Sequence, residues 1–221
     1  MATSWIRPIH NSGSLAATLR DRTAYVKDPN KTEGYEFVTG FGCNPQTAAN
    51  EFLLNKRRYE KLCKRSQDGK HDVVAYHVRV SFPLGEVTPG EVLEIGQEIA
   101  DSWLKGKHQY IVAAHTNTNN PHCHIIYNNT TIDCRRKFRN FLFSSTALRR
   151  LCDITCLQHG LSIIEKPGKA RGFNRGEYVG DNKPPTVRDQ LRETIDKFLA
   201  ECNSWEEFIT AMTSACEVKR G

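Results

Sequence analysis

The sequence has no apolar run approaching the roughly 20 residues that cross a bilayer as a helix. Its first residues, Met1-Ala2-Thr3-Ser4-Trp5-Ile6-Arg7-Pro8, lack the apolar centre of a signal peptide. Both absences lead to the expectation of a cytoplasmic protein with no membrane span. Among its 8 cysteines no Cys-x-x-Cys pair occurs, which argues against a structural zinc module built on paired thiols. Scattered thiols are the default of a reducing compartment, and Cys152 and Cys156, four apart, fall on one helix face as small buried side chains. Internal repeats and low-complexity tracts are missing as well.

What is present is enough for one substantial core: 221 residues, 38% hydrophobic and 25% charged. The formal net charge of +6 favours a polyanionic partner. Basic residues gather at Lys56-Arg57-Arg58, at Lys61, Lys64 and Arg65, at Arg135-Arg136-Lys137 with Arg139, at Arg149-Arg150, and between 166 and 175.

Spacing of apolar residues predicts helices over 14–26, 44–65, 88–105 and 144–159. Asn44 is read as the N-cap of the second helix and Pro45 as its first helical residue. Strands are predicted over 35–39, 73–82, 109–114, 122–128 and, briefly, 161–164. In the stretch over 73–82, Val78, Val80 and Phe82 alternate with His77, Arg79 and Ser81, giving one apolar and one polar face. Because 109–128 reads as a hairpin, the expected fold class is α/β, with a central, mostly antiparallel sheet flanked by helices. The reading divides the chain into a domain over 1–165, a Gly/Pro/basic linker over 166–185, and a helical extension over 186–221 belonging to a longer protein.

The chemistry concentrates in one hairpin, Ala114-His115-Thr116-Asn117-Thr118-Asn119-Asn120-Pro121-His122-Cys123-His124. On a strand His122 and His124 share a face while Cys123 points away. A short polar turn brings His115, at the end of the preceding strand, beside them. Three imidazoles that leave coordination positions open suit a catalytic metal, whereas a structural zinc site closes with a fourth ligand. Asn117 is placed to orient a ligating histidine from behind. Imidazole ligands suit several divalent ions, so Mn, Mg and Zn all stay open.

The pattern His-x-Asn-x, then Pro-His-x-His, two apolar residues and Asn128 resembles the histidine motif of HUH endonucleases. Specifically it is similar to the MobA-type (MOB-P class) mobilisation relaxases of plasmids and conjugative transposons, which often carry Asp where Asn117 stands. Tyr76 to Phe82 with Thr88-Pro89-Gly90-Glu91, Ala24 to Thr32, and Asp153 to Glu165 resemble further segments of that family, so the likeness covers roughly 8–165. It implies the HUH-type relaxase fold and a divalent metal on His115, His122 and His124. It also implies a tyrosine nucleophile, which falls on Tyr25, at the end of a helix before a Lys/Asp/Pro/Asn/Lys segment. The implied activity is site- and strand-specific nicking and rejoining of DNA at an origin of transfer, through a 5′-phosphotyrosyl intermediate. His77 is read as a catalytic helper, and Lys31, Arg79, Arg135, Arg136 and Lys137 as DNA contacts. Implied partners are single-stranded origin DNA, an accessory DNA-binding protein and the coupling protein of a secretion system, with delivery to a recipient cell on the DNA. The alternatives are a rolling-circle replication initiator or single-strand transposase, whose nucleophile lies downstream of the histidines, a noncatalytic zinc-containing DNA-binding module, and a metal-dependent hydrolase that uses no tyrosine.

Overall fold

Alternation along the strands decides the architecture. In the computed structural model, which describes residues 2–66, 69, 72–118, 120–164, 187–202 and 204–215, five strands form one sheet. They are β1 (Thr3–His10), β2 (Val38–Phe41), β3 (Val73–Ser81), β4 (His108–His115) and β5 (His122–Thr131). Their order is β1-β3-β5-β4-β2, and every pairing is antiparallel. β4 and β5 are buried along their whole length, as the inner strands of a sheet covered on both faces must be.

One face carries Val78, Val80, Val112, Ala114, Cys123 and Ile125 and forms the larger core with α3 (Pro89–Leu104) and α4 (Ser144–Gln158). The other carries Ala75, Ile111, Ala113 and Ile126 against α1 (Leu15–Val26) and α2 (Ala48–Cys63). Directly opposed residues of antiparallel strands share a face, so this second face also holds His77, Arg79, His115, His122 and His124. α3 packs tightly on the sheet at Gly96, where an added Cβ would lie 2.7 Å from Cys123 Sγ and 2.9 Å from Val112 Cγ1. The helix starts at a capping box between Thr88 and Glu91, with Pro89 in its first turn.

Several expectations need correction. The helix predicted from Asn44 begins at Ala48 with Thr47 at its N-cap. Asn44 instead closes the preceding turn, its Oδ1 accepting from Gln46 N at 2.9 Å, because a short amide side chain bonds its own backbone two residues on. The strand predicted over 35–39 begins only at Val38, since Tyr35 has φ 77° and belongs to a turn. Residues 161–164 form no strand; Leu161 N donates to the Cys156 carbonyl at 2.8 Å behind α4, and the Ser162 carbonyl accepts from Ala2 N at 3.3 Å. β1 was not anticipated. It is an edge strand containing Pro8, and an edge is where a residue without an N–H is tolerated.

The chain divides into two compact units, Met1–Lys166 and Pro167–Gly221. The second contains α5 (Val187–Glu201) and α6 (Trp205–Ala215), where Trp205 stacks on Phe208 at 5.4 Å. The predicted linker over 166–185 lies outside the described residues.

Candidate active site

The site forms where β4 ends and β5 begins. The hairpin register pairs His115 with His122 and Ala113 with His124, so three imidazoles meet on one face. Their ring centroids lie 5.1 Å (His115–His122), 4.5 Å (His115–His124) and 5.1 Å (His122–His124) apart. One nitrogen from each can be chosen so that all three lie within 4.8 Å of one another. Each ring is about 95% buried.

The remaining nitrogens are committed. His115 Nε2 donates to the Val26 carbonyl at 2.8 Å, and His122 Nδ1 donates to the Asn120 carbonyl at 2.8 Å. His124 Nδ1 shares a 2.8 Å hydrogen bond with His77 Nε2. This leaves His115 Nδ1 and His122 Nε2 with lone pairs to offer, and His124 Nε2 as well when His124 is the donor to His77. Asn117 is exposed in the connecting turn.

Burial and, behind it, neighbouring positive charge keep these rings neutral. His77 and His122 are both lowered to about 4, with loss of water as the first cause. The same cause lowers His115, and lowers His124 further still. Neutral imidazole is the form that binds a cation. Three neutral nitrogen donors on one side, each ring held from behind, fit a divalent ion with positions left for other ligands.

Tyr25 lies on the last turn of α1. Its ring centroid is 6.3 Å from that of His115 and 6.1 Å from that of His124, and it is 54% exposed. The segment after it is stitched to the histidine strand: Thr116 N donates to the Lys31 carbonyl at 2.8 Å, and Ala114 N to that of Phe37 at 3.0 Å. Lys31 Nζ sits 4.0 Å from the Tyr25 ring centroid and 3.5 Å from Asp28 Oδ2.

On the far side of the cluster, Arg79 stands directly across from His124. Its Nε is buried with no hydrogen-bond partner among the described residues. Trp5, on β1, pairs with Arg79 in register and packs edge-on against His77 at 5.0 Å, with the Arg7 guanidinium 5.0 Å from its own ring centroid.

The structure thus brings together Tyr25, Lys31, His77, Arg79, His115, His122 and His124. It does not bring Arg135, Arg136 and Lys137 to the same place. They follow the other end of β5, where Thr131 N donates to the Arg136 carbonyl and Thr130 bridges Lys137. At roughly 3.3 Å per residue, the length of β5 sets them roughly 30 Å from His122. Sequence reasoning missed Trp5 and the Val26 and Asn120 carbonyls. A carbonyl is common to every residue and leaves no mark in a sequence. Trp5 alternating with Arg7 ahead of Pro8 was the one available sign of a polar-faced edge strand.

The family model described as "Relaxase: MobA/VirD2-like, nuclease domain" matches residues 25–161, more than half of the chain. The chain belongs to the MobA/VirD2-like relaxase family. The matched segment runs from Tyr25 through all three histidines. A Staphylococcus aureus protein named rlx is 34% identical over 174 residues, covering 78% of this chain and 49% of that protein. The group II intron-interrupted relaxase LtrB of Lactococcus lactis is 24% identical over 216 residues, covering 83% and 38%. The chain therefore spans about half the length of the rlx proteins and less of LtrB. A solved structure titled "Molecular Basis of Vancomycin Resistance Transfer in Staphylococcus aureus" is 14% identical, with TM-score 0.46, covering 74% of this chain and 96% of that one. No helix among the described residues is long and apolar enough to cross a membrane.

Proposed function

We propose that this relaxase domain nicks and rejoins single-stranded DNA at an origin of transfer, with Tyr25 as the nucleophile. The observation that carries the reading is the position of the Tyr25 ring over two of three converging histidines, at 6.3 and 6.1 Å. In the proposed reaction the Tyr25 hydroxyl oxygen attacks the scissile phosphorus in line. The O–P bond forms as the P–O3′ bond breaks, the phenolic proton passes to solvent, and the departing O3′ takes a proton from solvent to leave as a 3′-hydroxyl. The 5′-phosphotyrosyl product retains the phosphodiester energy, so the reverse attack rejoins the strand without ATP.

His115, His122 and His124 would hold a divalent ion, which would supply positive charge at the phosphate; of Mn, Mg and Zn, the all-imidazole set suits Zn best and Mg least. The protein's own groups do the rest. Lys31 beside the Tyr25 ring adds positive charge where negative charge develops. Arg79, with Nε unpaired, is assigned to the phosphate on the opposite side. Arg135, Arg136 and Lys137 would meet nucleotides well away from the cut. This reading includes an accessory protein that opens the origin, a coupling protein of a secretion system, and cytoplasmic action before transfer with the DNA.

Tyr25 precedes the histidines in the chain, which favours a relaxase over a replication initiator or transposase of like chemistry. The test is incubation with end-labelled single-stranded origin DNA and Mn2+, followed by a denaturing gel. A covalent adduct is expected from the native chain and none from Tyr25→Phe. Adduct formation by that variant refutes the nucleophile, and cleavage without an adduct points to a water-using hydrolase.

A further inference from the structure

We infer that His77 is a positioning residue, which fixes the ring of His124 so that Nε2 faces the ion, and that it does not itself take a proton from the substrate. The inference rests on the metal reading above. It starts from register. The residue across from His124 is Arg79, and His77 lies two residues along the same strand, across from Ile126. Diagonal neighbours of this kind remain within reach of long or aromatic side chains. His77 uses that reach: its Nε2 meets His124 Nδ1 at 2.8 Å, with ring centroids 4.8 Å apart.

The chemistry then follows from counting protons. A neutral imidazole has one N–H and one lone pair. If His124 gives the Nε2 lone pair to a cation, its proton sits on Nδ1, and that N–H donates to Nε2 of His77. His77 must in turn carry its own proton on Nδ1. One hydrogen bond therefore selects the tautomer of both rings, and a side chain whose lone pair at Nε2 is spent this way has no second one with which to take a substrate proton.

Trp5 completes the device. It stands edge-on to His77 at 5.0 Å from the neighbouring strand, itself faced by the Arg7 guanidinium. The His77 ring is thereby wedged between Trp5 and His124. His115 and His122 each donate to a backbone carbonyl, with Thr118 Oγ1 a further 3.4 Å from His122 Nδ1, whereas the His124 ring is held by the His77 side chain. A substitution can remove that support.

Three readouts on the intact chain test this. Long-range proton–nitrogen spectra of the metal-free protein, with His124 assigned from a His124→Gln variant, should show its proton on Nδ1. A wild-type His124 protonated at Nε2 overturns the inference without any variant. Calorimetric titration with Mn2+ should show His77→Phe binding about 10- to 100-fold more weakly, the usual cost of losing a partner behind a ligand. His77→Gln, whose Oε1 can accept in place of Nε2, should restore most of the affinity and the Nδ1–H tautomer. Anisotropy with single-stranded DNA in EDTA should show both variants binding like wild type.

Unchanged Mn2+ affinity in His77→Phe overturns the inference. So does a loss of DNA affinity without a change of tautomer, which marks a phosphate contact. A loss of affinity that His77→Gln does not reverse marks a merely structural role and overturns it too. If the wild type itself takes up no metal, the function proposed above fails, while the tautomer of His124 still decides the His77 contact.

Discussion

Replacing Gly96 by alanine tests whether the back of the sheet sets the geometry of the site at its front. The new Cβ would stand 2.7 Å from Cys123 Sγ, 2.9 Å from Val112 Cγ1 and 3.3 Å from Cys123 Cβ. Contacts this short force α3 outward or β5 forward. Overpacking of this kind costs about 1–3 kcal/mol, and the better helix propensity of alanine returns about 1 kcal/mol. The net expectation is about 1 kcal/mol of destabilisation, or roughly 2–4 °C in Tm for a domain of this size. Cys123 sits between His122 and His124, so a strand pushed forward also displaces two proposed ligands. Mn2+ affinity should fall along with stability.

The decisive measurement is a double-mutant cycle. Removing the Sγ with Cys123→Ala makes room for the new methyl, so the pair should show a favourable coupling of about 1 kcal/mol in urea melts, with metal affinity recovering in parallel. If Gly96→Ala costs the same with and without the Cys123 sulfur, the contact does not govern the spacing and the reasoning fails.

Lys56 is buried with its Nζ hydrogen-bonded to Asn129 Oδ1 and 3.5 Å from Thr130 Oγ1, and burial lowers its pKa well below the ordinary value of 10.5. Between the folded and unfolded pKa values the folded chain holds fewer protons. Stability therefore rises with pH through that window, by up to about 1.4 kcal/mol per pH unit, and the penalty is complete below it. Lys56→Met should flatten this rise in urea midpoints measured across the alkaline range, and parallel curves for the two proteins would contradict the assignment. Arg79→Ala should reduce the salt dependence of single-strand binding by about 0.7 in log–log slope, the share of one phosphate contact; an unchanged slope removes Arg79 from the DNA path. His122→Ala should abolish cleavage yet leave most DNA affinity, which rests on Lys and Arg, and equal loss of both would indicate a structural metal.

The parts legible in the sequence are those decided locally. His115, His122 and His124 needed only period-two alternation and a short turn, and Cys123 falls on the opposite face for the same reason. The polar face of β3 was equally plain. Which histidine His77 would reach was not, because that depends on the register between β3 and β5, and register is fixed by packing across the whole sheet. Trp5 was hidden by its setting: an edge strand interrupted by Pro8, with only part of its length against a core, carries little periodic signal. Arg135, Arg136 and Lys137 look like neighbours of the site because few residues separate them from His124. A strand turns sequence proximity into distance at over 3 Å per residue, and they lie at its far end.

Tyr25 shows the opposite effect, since 90 residues separate it from His115 and backbone bonds bring them together. A helix leaves its last carbonyls without partners in the helix, and the carbonyl of Val26 is taken by His115 Nε2. That single bond has two consequences. It commits Nε2 of His115, so that Nδ1 is the nitrogen turned to the cluster, and it fixes the last turn of α1, from which Tyr25 hangs one residue earlier. The Lys31 carbonyl, accepting from Thr116 N, pins the chain again just past the other side of the ring. Both acceptors are main-chain atoms, so substitution at Val26 or Lys31 changes the side chain and leaves the clamp. The placement of the proposed nucleophile and the choice of ligand nitrogen on His115 are thus one structural variable, and a displacement of the end of α1 must disturb both at once.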